Sequence, residues 1–152
     1  MIIENSLIPF RGFVAINLFG IIFTRDKQRI TRKVLNHEFI HTMQLLEVDF
    51  CFFILWLFLA IGISWWYLVG IPFSYYIWYL TEWFFRFFIA LATLNKAEQG
   101  KRREHMKKAY HELLFEQEAR NNQDKILYIR NRQNFAWLNE KLQGFLEKYL
   151  RI

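Results

Sequence analysis

Apolar residues crowd into the middle of this chain. From Phe50 to Leu94 only two charges occur, Glu82 and Arg86, against 18 of the 30 aromatic side chains. A bilayer core of about 30 Å needs about 20 helical residues, so this block is long enough for two crossings. Gly70-Ile71-Pro72 disfavours a continuing helix and marks the break. The predicted spans are residues 48–69 and 73–94, with Trp65, Trp66, Tyr67, Tyr75 and Tyr76 at the headgroup layer. Before the block, the run 13–23 is rich in Phe, Val and Ile and is interrupted by Asn17 and Gly20. With Asp26-Lys27-Gln28 as a turn after it, the run predicts one or two short strands. Thr31 is the expected N-cap of a helix that enters the first span, with Val34, His37, His41, Leu45 and Val48 at helical spacing. After the block, helices are expected over 95–121 and 124–149, joined at Asn121-Asn122.

Composition adds a topology. The length of 152 residues supports one domain, and the mean hydropathy of +0.05 averages two unlike parts. Residues 1–49 hold six Lys and Arg, residues 95–152 hold thirteen, and the expected turn holds none. Both termini are therefore expected on the cytoplasmic side, as in a bacterial inner membrane. The net charge of +6 follows from that topology and from anionic lipid, so no nucleic-acid partner is expected. The single cysteine, Cys51, has no internal partner. The run 13–23 has only Arg11 before it and no small-x-small cleavage site, so no signal peptide is expected. The expected architecture is an all-α membrane protein with a two-span transmembrane hairpin (48–94). Around it lie N-terminal strands forming a short β-hairpin (1–30), a histidine-bearing helix (31–47) and cytoplasmic helices (95–152).

Residues 37–41 read His-Glu-Phe-Ile-His. Four residues apart on a helix, His37 and His41 lie one above the other and can grip one metal ion. Glu38, beside the first histidine, can take a proton from a metal-bound water, which zinc with an open coordination position brings near neutral pKa. The pattern thus meets the demand of metal-assisted hydrolysis, with Zn2+ as cofactor. A third ligand must come from beyond the hairpin, where His105, His111, Glu112, Glu116 and Glu118 are the candidates. Antiparallel register about residue 71 would set 37–41 against 101–105 and favour His105. Helical periodicity leaves Glu116 and Glu118 on opposite shoulders of an apolar stripe. The oxyanion-stabilising candidates are His105 and His111.

The segment Phe115-Glu116-Gln117-Glu118-Ala119 resembles the Glu-x-x-Ala-Asp segment of membrane-embedded metalloproteases, the prenyl-protein endopeptidases and the HtpX-type quality-control proteases. That resemblance implies His37, His41 and Glu116 as zinc ligands, Glu118 as the alternative to Glu116, Glu38 as the base, and peptide or membrane-protein substrates. Arg120 stands where those families carry an aspartate that orients a ligand histidine. The segments 36–44 (Asn-His-Glu-x-x-His-x-x-Gln) and 115–119 are also similar to small membrane HExxH proteins of Bacteroidota-like bacteria.

Glu82 and Arg86, four apart, are expected to pair along one helix face and pin the packing of the hairpin. Two other functions compete with a hydrolase. A di-iron carboxylate protein requires a second Glu-x-x-His to match Glu38-x-x-His41, and the chain has none. A non-catalytic membrane anchor would use the metal only to tie its cytoplasmic segments together. The strands around 14–23 could offer an edge to an extended peptide.

Overall fold

The computed structural model describes residues 1–9, 12–92 and 102–139. Three short strands, β1 (Ile2–Glu4), β2 (Ala15–Leu18) and β3 (Ile21–Thr24), form one sheet in the order β1-β3-β2. The expected hairpin is β2–β3, and β1 adds to it in parallel. Phe19 and Gly20 make its turn, both left-handed with φ of 54° and 78°, as a type I′ connection requires. Gly20 adopts this freely. Phe19 is held there by edge-on rings of Phe73 and Tyr76, and its N–H donates to the Tyr76 hydroxyl at 2.6 Å.

Thr31 caps α1 (Arg32–Gly62) by accepting from the Val34 N–H at 3.3 Å. The helix changes character along its length. Its first half buries Glu38, His41, Gln44 and Glu47, while its second half exposes Phe50, Phe53, Ile54, Phe58 and Ile61. Polar inside and apolar outside is the reverse of a helix solvated by water. Among the described residues, α1 is the one helix long and apolar enough to cross a membrane.

The apolar block folds differently from two equal spans. α1 stops at Gly62 rather than continuing to residue 69, and a 3-10 segment, Trp65–Phe73, runs back beside it. Gly70 makes this return possible: a Cβ there would lie 2.8 Å from the Trp56 ring. Trp56 in turn stacks on Tyr67 and donates to Ser74 Oγ at 2.7 Å. α2 (Ser74–Ala92) touches α1 near its own start, where the Tyr75 N–H meets Asp49 and the Trp78 ring meets Phe52. It then packs along α3 (Arg102–His111). The simple register that set 37–41 against 101–105 is therefore corrected, because α2 leaves α1 instead of running back along it.

The expected helix over 95–121 is also interrupted. Residues 93–101 lie outside the described residues, and α3 gives way to α4 (Leu114–Asn122) at Glu112-Leu113. Leu113 offers no capping side chain; Glu82 does the work from α2, accepting the Leu114 N–H at 3.2 and 3.3 Å. Arg86 pairs with Glu82 at 2.8 Å. The expected pair is thus present, and it pins the N-terminus of α4 to α2. In place of a continuous helix over 124–149, α5 (Tyr128–Asn131) ends at an extended Arg132 and a left-handed Phe135, φ 57°. Helical backbone resumes at 136–139, and 140–152 lie outside the described residues. Leu45, Val48, Tyr75, Leu114, Phe115 and Trp137 form the core joining α1, α2 and α4.

Candidate metal centre

His37 and His41 rise from the polar half of α1 with their Nε2 atoms 3.1 Å apart. Glu116 reaches them from the first turn of α4, the turn that Glu82 fixes. Its Oε1 lies 3.4 Å from His41 Nε2 and its Oε2 3.7 Å from His37 Nε2. Tetrahedral zinc with bonds of 2.0–2.1 Å sets its ligand atoms about 3.3 Å apart; the two histidine nitrogens stand near that distance, and one carboxylate oxygen of Glu116 lies within 4.8 Å of both. Glu116 Oε2 is buried with ionic neighbours, His37 and Arg120, but without a hydrogen bond, which native interiors rarely tolerate unless something else is bound. Two imidazoles and one carboxylate are a donor set zinc accepts, so the residues fit the ion.

The shell behind the ligands fixes their orientation. Gln44 donates through Nε2 to Glu118 Oε2 at 2.9 Å and to the Phe115 carbonyl at 3.1 Å. Its Oε1 must therefore face His41 Nδ1, 2.8 Å away, and accept a proton from it. That leaves His41 Nε2 for a metal. The Tyr75 hydroxyl stands 3.3 Å from the same Nδ1. Tyr110 and Tyr79 donate to Glu116 Oε1 at 2.7 and 3.1 Å, so the other carboxylate oxygen keeps its lone pairs.

The electrostatics are those of a tightly coupled cluster lying ahead of the proposed span that starts at Val48. Burial, then the neighbouring His41, holds His37 down to about 4. Burial opposes charge on His41 too, but the hydrogen bond and charge of Glu116 outweigh it and raise His41 to about 9. Burial would likewise raise Glu116, yet its hydrogen bond to His41 and the charges of His41 and His37 bring it down to about 2. Glu38 is pushed up to about 7, chiefly by burial. No hydrogen bond to its carboxyl group is found among the described residues, so it is free to exchange a proton.

A cavity of about 710 Å³ opens over the cluster. Its walls are β2 and the residues just before it, with Tyr76, Tyr79, Tyr110, His111 and Arg120 opposite, and His37, Glu38, His41 and Glu116 line it as well. Asn17 ties the strand to the histidine helix, donating to the Glu38 carbonyl at 2.6 Å and to Thr42 Oγ1 at 2.7 Å.

Of the candidate third ligands, Glu116 alone meets the histidines. Glu118 is turned away and bonds Arg132, Tyr128 and Gln44. Glu112 faces Arg86 and Lys108. His111 lines the cavity but joins no ligand cluster, and neither does His105. Sequence reasoning did not assign roles to Gln44, Tyr75, Tyr79 and Tyr110. Gln44, three residues past His41 on the same helix face, carried a readable signal. The tyrosines did not: Tyr75 reads as a membrane-interface aromatic, and nothing in the spacing marks Tyr79 or Tyr110.

Comparison with protein-family models, curated proteins and solved structures returned no match to this chain.

Proposed function

We propose that this protein is a membrane-embedded zinc-dependent metallohydrolase, a peptidase by its resemblance to the HtpX-type and prenyl-protein endopeptidases. The observation that carries this reading is the convergence of His37, His41 and Glu116, with ligand atoms within 4.8 Å of one another, at a cavity that Glu38 also lines. A closed structural site would surround the ion with four protein ligands; here three meet, and the fourth direction is left to the cavity.

Zinc bound there supplies a Lewis acid that lowers the pKa of a coordinated water to near neutrality. Glu38 accepts a proton from the attacking water and returns it to the leaving nitrogen. Gln44 holds His41 in the tautomer that presents Nε2, while Tyr79 and Tyr110 hold Glu116. The apolar half of α1, the 3-10 return and α2 lie in the bilayer of a bacterial inner membrane. Two passes through it, with both termini cytoplasmic, are proposed from the Lys and Arg counts. The site then faces peptide or membrane-protein substrates at the cytoplasmic surface.

Glu38→Gln separates a catalytic from a structural metal site. In detergent-purified protein it should retain its metal and lose roughly 10²–10⁴-fold of the hydrolysis of a quenched fluorogenic peptide library. Hydrolysis unchanged by the substitution would remove Glu38 as the base, and a metal-loaded wild type without hydrolysis would mean that the metal only braces the fold.

A further inference from the structure

We propose that Arg120 is the oxyanion-binding residue of this site, in direct contact with the carbonyl oxygen of the substrate; this rests on the metallohydrolase reading above. Arg120 lies four residues after Glu116, on the same face of α4. Its Nε is 3.3 Å from Glu116 Oε2, and its guanidinium carbon stands 5.7 Å from the centre of the Tyr110 ring. Tyr110 therefore steadies two groups at once, the third ligand through its hydroxyl and the arginine through its ring face.

The bonding of Arg120 is incomplete. Close as it is to Glu116, its Nε is buried without a hydrogen bond. Its terminal nitrogens make none among the described residues. The side chain remains 38% exposed and lines the same cavity as His37, Glu38 and Glu116. With its Nε ion-paired to Glu116 and its terminal nitrogens without a hydrogen bond among the described residues, the guanidinium places cationic donors beside a ligand carboxylate at the cavity, which suits a site where negative charge develops.

Gln44 already orients His41, so Arg120 is not needed for that role. In the reaction, the water oxygen bonds to the carbonyl carbon and the π pair of the C=O moves onto its oxygen. Arg120 hydrogen-bonds that oxygen, while the proton lost by water goes to Glu38. The pair then re-forms the C=O as the C–N bond breaks, and the leaving nitrogen takes the proton from Glu38.

The test uses the full chain in detergent, loaded with cobalt(II), as wild type, Arg120→Lys and Arg120→Gln. Metal content and the affinity for inorganic phosphate, read from the visible cobalt spectrum, are measured for each. Arg120→Gln should keep one metal per chain and bind phosphate about tenfold to a hundredfold more weakly, with Arg120→Lys between the two. Equal phosphate affinity in all three proteins, or no phosphate binding by the metal-loaded wild type, would overturn the assignment. Loss of metal from Arg120→Gln would also overturn it, by making the arginine a brace for Glu116. A wild type that takes up no metal would instead bring down the metallohydrolase reading itself, and metal content tells that failure from the others.

Discussion

Two glutamates on α4, two residues and so about half a turn apart, live in opposite kinds of cluster. Glu118 is fully buried and fully bonded: Arg132 donates to it at 2.6 and 3.1 Å, Tyr128 at 2.9 Å and Gln44 at 2.9 Å. The same Arg132 reaches across to Glu47, which also accepts from the Phe135 N–H and Trp137 Nε1. No acceptor there is short of donors. Glu116 is almost as buried, yet one oxygen has ionic neighbours, His37 and Arg120, but no hydrogen bond. Burial alone does not distinguish a structural carboxylate from a functional one. Completeness of bonding does, because a native interior leaves polar groups open where something else is to bind.

The sharpest way to break the comparison is to remove Arg132. Arg132→Ala strands two buried carboxylates, so it should destabilise the fold by about 3–5 kcal/mol, measured by thermal or denaturant unfolding in detergent. Loss of metal with unchanged stability would contradict a structural role for that cluster. Gln44 links the two regions, and Gln44→Met should weaken metal affinity about 10–100-fold, measured by competition with a chelator. Its effect on stability should be smaller than that of Arg132→Ala.

Proton linkage supplies a subtler contrast. In the metal-free protein His41 is raised to about 9, from an ordinary 6.5. The stability it contributes is fully present below about 6.5 and is lost as pH rises through 9. A metal must displace that proton, so its affinity should climb with pH over the same window, about tenfold per unit, and level off above 9. Metal-binding titrations at several pH values check the sign. Smallest of all, Thr31→Ala should cost about 1 kcal/mol through the lost cap, with no effect on either cluster.

What could be read from the sequence followed from local rules. The two strands come from an apolar run broken at Gly20, the start of α1 from Thr31, and the histidine pair from helical spacing. Glu116 came from a resemblance; hairpin register favoured His105, and helical periodicity did not separate Glu116 from Glu118. The remainder depended on partners distant in the chain. α4 begins at Leu114 because Glu82, on another helix, caps it. α5 ends where Arg132 is drawn into a buried pairing with Glu47. The chain returns beside α1 because Gly70 fits against Trp56. A pattern of hydrophobic positions cannot show which side chains meet across such distances, and so the hairpin register was wrong.

Metal content of the detergent-purified wild type, measured beside His37→Ala and Glu116→Ala, is the most direct test of the centre. About one zinc per chain in the wild type and none in either variant is the predicted result. Zinc retained in Glu116→Ala would contradict the assignment of Glu116 as the third ligand. A wild type without metal, prepared under conditions that do not strip zinc, would contradict the metallohydrolase reading as a whole.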